Sequence, residues 1–263
     1  MRVGDLELLP LIDGELRARA AEIYPGRGED DWQPHRRWIT HDGMIELAIG
    51  CFLIRTGDRR VLVDAGLGTV RVEGFTGGRL LDELVSIGES VETVTDVVFT
   101  HLHFDHVGWA TQKGAIVFPN ATYRCHSADW EHFVTGEGAL GGGRRKLEPL
   151  TDRLEHFDGL KTIAPGVDTL PTPGHTPGHT AIVVSSGTER AILLGDAAHC
   201  PVELEEAEWE GLGDVDPELA RHTRIAMMRE LEETGTPASA AHFPGLRFGR
   251  LLRGEDRARW VIG

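Results

Sequence analysis

Residues 101–106 read HLHFDH, placing four metal-capable side chains, His101, His103, Asp105 and His106, within six positions. The run directly follows a short apolar stretch, DVVFT (96–100), whose composition predicts a buried strand. Alternate residues of an extended segment point to one side, so His101 and His103 can share one cation. Asp105 and His106, past the turn, can face a second cation close by. Imidazole and carboxylate donors without a thiolate suit Zn²⁺ first, with Mn²⁺, Fe²⁺ or Co²⁺ as alternatives. A surface histidine cluster, or histidines capping the next helix, would be the plainer explanation, but the run is too dense to favour it.

Histidine is over-represented throughout, at 13 residues. The segment TPGHTPGHT (172–180) lies between two expected strands, where Pro and Gly fix a loop whose backbone passes close to something. His175 stands at its turn as a candidate ligand. His179 enters the following strand and is expected to orient a ligand rather than to be one. In LLGDAAHC (193–200) an apolar run ends at Gly195 and Asp196. A carboxylate at the end of a buried strand is costly without a partner, and a pair of cations is the partner that best explains Asp196. His242, in AAHFPG (240–245), again follows a short apolar run.

These motifs need strands and turns to carry them. A strand is expected at 6–12, then a long polar loop at 22–38. Runs at 45–54 and 60–63 are separated by Thr56, Gly57 and Asp58, which is hairpin chemistry. Helical spacing marks 79–87. Strands are expected at 115–118 and 121–125, and Ser127 is expected to cap a helix reaching about residue 135. A glycine-rich loop (136–143), a helix at 145–157, and strands at 169–170, 180–185 and 191–194 follow. The acidic stretch 203–218 reads as a solvated face. A helix at 217–234 has an expected apolar stripe of Leu219, Ile225, Met228 and Leu231, and a strand at 238–241 delivers His242. Strands followed by helices in each half predict two packed sheets with helices outside.

Composition narrows the function classes. With 40% hydrophobic and 26% charged residues, the 263-residue chain is globular and is expected to form one domain, residues 1–263. A formal net charge of -15 opposes nucleic acid or anionic membrane as a partner, leaving a small-molecule substrate, with a homodimer open. Apolar stretches fall far short of the roughly 20 residues that span a bilayer. Three cysteines without a CxxC support neither a disulfide framework nor a thiolate zinc site. MRVGDLELLP (1–10) lacks signal-peptide features, so a cytoplasmic location is expected.

Taken in order, HxHxDH, PGHTPGH, GD after a strand and a late His closely resemble the metallo-β-lactamase fold superfamily over about residues 61–248. The resemblance implies an α/β fold, an αβ/βα four-layer sandwich of two mixed β-sheets flanked by helices, with a dinuclear metal site at one edge of the sheets. It implies His101, His103 and His175 on one metal, Asp105, His106 and His242 on the other, Asp196 bridging, and Asp64 of VLVDAG propping the metal loop. Asp196 stands where thiolate-bearing β-lactamases carry Cys. THLHFDHVGW (100–109) and AHFPGLRFGRL (241–251) look most like quorum-quenching N-acyl homoserine lactonases. Those enzymes typically carry Tyr three residues after the bridging Asp, and this chain has His199.

The implied activity is a metal-dependent hydrolase opening a lactone or ester. Water held between two cations drops from a pKa of about 15.7 toward about 7 and supplies the attacking hydroxide. Asp105 would pass a proton to the leaving oxygen, and His199 would contact the substrate carbonyl. An organophosphate or aryl ester hydrolase, a glyoxalase II-like thioesterase and a non-enzymatic metal-binding regulator remain alternatives. Phe104, Trp109, Phe243 and Phe248, with Tyr24 and Trp32 from the long loop, are candidates for the pocket wall.

Overall fold

In the strand Arg59–Val63 the side chains of Val61 and Val63 enter one core and that of Leu62 another. The same alternation recurs at Val97 and Val98, and at Ile192 and Leu193. Side chains two apart share a face of a strand. A strand apolar on both faces must therefore be covered on both sides, and this decides the architecture. The computed structural model describes the whole chain except residues 70–72, 137–140, 212 and 256.

The first sheet contains β1 (Arg2–Val3), β2 (Leu6–Arg19), β3 (Met44–Thr56), β4 (Arg59–Val63), β5 (Phe75–Thr76) and β6 (Asp96–Val98). A small hairpin, β7 (Thr111–Gln112) and β8 (Ala115–Ile116), stands apart, and β9 (Thr122–His126) and β10 (Leu154–Phe157) complete the first sheet. Its order is β1-β2-β3-β4-β6-β9-β10, with β5 beside β2. The second sheet runs in sequence through β11 (Thr162–Ala164), β12 (Val167–Pro171), β13 (Thr180–Ser186), β14 (Glu189–Leu193), β15 (Ala238–Ser239), β16 (Gly249–Leu252) and β17 (Arg259–Ile262). Both are mixed: β4, β6, β9 and β10 pair in parallel, as do β14 and β15, and the other pairings are antiparallel.

Between the sheets lie Leu8, Ile54, Val61, Val63 and Val98 from the first and Val167, Ile182, Val184 and Leu193 from the second. Outside the first sheet pack α3 (Leu80–Ser86), through Leu80 and Leu84, and α5 (Gly141–Leu147), through Leu147. Outside the second pack α6 (Val202–Glu205) and α7 (Pro217–Thr234), through Val202, Leu204, Met227 and Leu231. Helix, sheet, sheet, helix is the four-layer order that the resemblance implied.

Several local expectations are corrected. The first strand runs on to Arg19, because a bulge between Ile12 and Gly14 restores its pairing with β3. A Cβ at Gly14 would lie 1.8 Å from the Thr76 carbonyl oxygen, so only glycine admits β5 there. The polar segment 22–38 is not loop throughout. It contains the end of α1 (Ala20–Ile23), α2 (Glu29–Trp32) and a 3₁₀ turn (Gln33–Trp38), anchored by buried Tyr24, Trp32 and Trp38. His126, not Ser127, caps α4 (Ser127–Trp130), which continues as a π-turn through Thr135. Residues 145–157 are not one helix: α5 gives way to a 3₁₀ turn (Glu148–Arg153) and then β10. The expected glycine loop lies partly outside the described residues.

The acidic stretch is not uniformly solvated, since Glu203 and Glu205 are buried. Glu205 meets His35 Nδ1 at 2.9 Å and accepts from the Trp260 amide at 2.9 Å. Helix α7 has the expected bounds, but its buried face is Ala220, Arg224, Met227 and Leu231, while Leu219 is exposed.

Candidate metal centre

Chain segments leaving the strands converge at one end of the two sheets. Asp64 follows β4, and His101, His103, Asp105 and His106 follow β6. From the second sheet, His175 stands in the turn between β12 and β13, Asp196 follows β14, and His242 follows β15. All seven candidate ligands named from the sequence meet here. Their donor atoms fall into overlapping sets within 4.8 Å: His101, His103 and His175; His101, His106 and Asp196; and Asp105, His106 and His242.

Asp196 is the hub. Its Oδ2 lies 3.7 Å from His101 Nε2, 3.3 Å from His106 Nε2, 3.5 Å from His175 Nε2 and 3.1 Å from His242 Nε2. His199 Nε2, outside the inferred ligand set, is 3.5 Å away. Asp105 Oδ2 lies 3.5 Å from His242 Nε2 and 4.0 Å from His106 Nε2. His103 Nδ1 and His175 Nε2 are 2.9 Å apart.

The outer ring nitrogens explain the aim of the inner ones. His106 Nδ1 donates to Asp64 at 2.9 Å, His175 Nδ1 to Asp214 at 2.8 Å, and His242 Nδ1 to the Ala48 carbonyl at 2.6 Å. His101 Nδ1 lies 3.0 Å from the Thr100 hydroxyl, which itself donates to Asp64. Fixing Nδ1 in this way leaves Nε2 of each ring directed inward as a potential donor to a metal. Asp64, held at φ 61°, also accepts from the Thr100 amide and so ties the end of β4 to the start of the histidine run.

The donor set fits a pair of divalent cations. Among the described residues, buried His101 Nε2, His106 Nε2 and Asp196 Oδ1 have no hydrogen-bond partner, a costly arrangement that cations would relieve. Burial, then neighbouring imidazoles, pushes His101 well below its ordinary pKa, and burial takes His103 down to about 4, favouring the neutral form that binds metals. Burial opposes charge on Asp196, yet His106, His242 and His101 hold its carboxyl well below the usual range.

His179 is not placed as a ligand. Its Nε2 accepts from the Asp196 amide at 2.9 Å while Nδ1 faces Thr172, so it sets the backbone of the hub residue. A Cβ at Gly195 would lie 2.6 Å from that Nε2, which explains the glycine before Asp196.

Three supporting acids escaped the sequence reading. Asp214, in the acidic stretch, backs His175. Buried Asp129 accepts from the amides of Leu102 and Gly178 and from the Thr176 hydroxyl, clamping the two histidine loops together. Buried Asp13, at the β2 bulge, accepts from the amides of Leu67, Gly68, Gly78 and Leu80 and from the Trp109 indole. Single acids far apart in sequence carry no local spacing signal.

The donors open into a cavity of about 450 Å³ whose wall includes Leu16, Ile23, Leu47, Phe75 and Phe104. Of the aromatic wall candidates only Phe104 lines it. Trp109, Phe243, Tyr24 and Trp32 belong to the buried core, and Phe248 packs on Phe52. Among the described residues the lining holds no Lys or Arg, and its one acid away from the donor cluster is Glu22.

Comparison with known proteins identifies the family. Residues 46–234 match the sequence profile of the metallo-beta-lactamase superfamily. An N-acyl homoserine lactonase from Bacillus sp is 28% identical over 216 residues, covering 74% of this chain and 79% of that protein. The solved structure of AidC, a dizinc quorum-quenching lactonase in complex with a product N-hexnoyl-L-homoserine, superposes with a TM-score of 0.90 at 25% identity, covering 100% of this chain and 96% of that one. The hydrolase AbOPH, at 22% identity and a TM-score of 0.89 over 100% and 96% of the two chains, shares the fold.

Proposed function

Because the chain belongs to the metallo-beta-lactamase superfamily, we propose that residues 1–263 act as one dinuclear metal-dependent hydrolase that opens a lactone or other uncharged ester. The observation that carries this reading is the Asp196 hub, ringed by imidazoles at the base of an apolar cavity. The likeness to an N-acyl homoserine lactonase supports the lactone.

In this reading His101, His103 and His175 would hold one cation, Asp105, His106 and His242 would hold the other, and Asp196 would serve both. Zn²⁺ suits the donors first, with Mn²⁺, Fe²⁺ or Co²⁺ as alternatives. The cations would supply hydroxide at neutral pH and polarise the carbonyl. The apolar wall takes the substituent of the substrate and excludes water. His199, which lines the cavity, meets the carbonyl oxygen, and Asp105, at the edge of the cluster, takes the proton that the attacking water gives up and hands it to the leaving oxygen. Asp64, Asp214 and the Ala48 carbonyl keep the ring nitrogens turned inward.

The absence of Lys and Arg among the described lining residues favours an uncharged substrate over a glutathione thioester. A panel of acyl homoserine lactones, other lactones, aryl esters, aryl phosphotriesters, β-lactams and S-lactoylglutathione tests this. We expect kcat/KM for an uncharged lactone to exceed that for the thioester at least about tenfold. A phosphotriester or the thioester winning the panel would overturn the lactonase assignment.

A further inference from the structure

Glu203 is wholly buried beside the metal cluster, and nothing in the hydrolytic scheme uses it. A carboxylate removed from water costs several kcal/mol unless it is paired and hydrogen-bonded. Glu203 has four such contacts, all with donors. The Tyr24 hydroxyl donates to Oε1 at 2.6 Å, the His199 amide donates to Oε2 at 2.9 Å, His199 Nδ1 stands 3.4 Å from Oε1, and Arg224 Nη1 lies 3.5 Å from Oε2. Arg224 comes from α7 and is itself buried. The carboxylate therefore holds the backbone of His199 and the outer nitrogen of its ring, and Nε2 is left turned toward Asp196.

Tyr24 connects this network to the cavity wall. It directly follows Glu22 and Ile23, which line the cavity. Its ring packs against Trp32 and Trp209, both with centroids 5.6 Å away. Phenylalanine would fill that space equally well, and among the described residues the hydroxyl serves Glu203 alone. Gly211 closes the other side: a Cβ there would lie 2.9 Å from Glu203 Oε1 and 3.2 Å from His199 Nδ1, so any side chain would wedge the pair apart.

We propose that Glu203, held by Tyr24 and Arg224, is the positioning residue that fixes the His199 imidazole, with Nδ1 bonded to Glu203 and Nε2 facing the metal cluster. The amino-terminal strap that walls the cavity and the group that meets the substrate are thereby set by one buried network. The kinetic part of this rests on the hydrolase reading above; the contact of His199 Nδ1 with Glu203 does not.

Two measurements on the metal-loaded protein separate these. In the first, Tyr24→Phe, His199→Ala and the double variant are compared on the best substrate of the panel. Tyr24→Phe is expected to lower kcat about three- to tenfold with KM and metal content unchanged, and to cost nothing further once His199 is alanine. Gly211→Ala should reproduce the loss. Effects of Tyr24 and His199 that simply multiply would overturn the coupling. In the second, histidine nitrogen-proton NMR should show a slowly exchanging Nδ1 proton that disappears in His199→Ala and exchanges at least about tenfold faster in Glu203→Gln. A His199 ring carrying no protected Nδ1 proton in the unaltered protein would overturn the positioning role, whether or not any substrate is turned over.

Discussion

Asp13 accepts five hydrogen bonds, every one from a group that can only donate: four backbone amides and an indole. The bulge in β2 places it inward, and its side chain is fully buried. Asp13→Ala removes all five acceptor contacts. An orphaned buried donor costs about 1–3 kcal/mol, and hydrogen bonds to a charged acceptor lie at the upper end. A water entering the space recovers some of these, and releasing a buried carboxylate returns several kcal/mol more. The net loss is about 4 kcal/mol. Asp13→Asn is the sharper test, because whichever way the amide is flipped its NH₂ meets N–H groups. It should therefore cost about 3 kcal/mol despite being nearly isosteric. Urea unfolding followed by circular dichroism at fixed metal loading measures both. An asparagine variant within about 1 kcal/mol of the unaltered protein would refute the reasoning, since it would mean that the five contacts do not require a carboxylate.

Three further outcomes are expected. Asp196→Ala should reduce the metal content from about two equivalents to one or none by elemental analysis, with the chain still folded. Asp214→Asn weakens the acceptor behind His175 and should lower metal affinity roughly 10- to 100-fold in chelator competition. Asp96, buried between Arg59 and Arg124, has its carboxyl pKa lowered: burial pushes it up, but these guanidiniums and the Thr95 hydroxyl overcome that. A lowered folded-state pKa means stability present above the unfolded value and lost as pH falls through the folded one. Asp96→Asn should thus cost about 3 kcal/mol at neutral pH, with the difference beginning to shrink only as pH falls below about 4 and vanishing below the lowered folded-state value, and a pH-independent difference would contradict this.

What the sequence made legible was what its local spacing encodes. HxHxDH, the proline-glycine histidine loop and GD after a strand each concentrate unusual residue types in a few positions, so six of the seven candidate ligands could be named from them before the fold was seen, whereas His242 had only the short apolar run before it as a signal. Helix α7 was equally plain, with Asp216 as its N-cap, Pro217 in its first turn and Gly235 in the left-handed conformation beyond its end. Its buried face was misread because Arg224 faces inward to Glu203, which no hydrophobic periodicity records. The π-turn after α4 and the break within 145–157 were hidden for the same reason: tertiary packing decides them, and the local composition suits a helix either way. Asp13, Asp129, Asp214 and Glu203 bind groups remote in sequence or turn on backbone geometry, and neither leaves a periodic trace.

The division of donors between the sheets has a consequence for the order in which the protein is made. His101, His103, Asp105 and His106 follow β6, whereas His175, Asp196 and His242 belong to the second sheet. A ribosome adding about 5–20 residues per second needs on the order of ten seconds to pass from His106 to His242. During that interval the nascent chain displays an incomplete set of the candidate donors, with Asp196 and His242 added last. On the proposed ligand set, loading of two cations would wait on β15 docking beside β14, the step that brings His242 to the other donors.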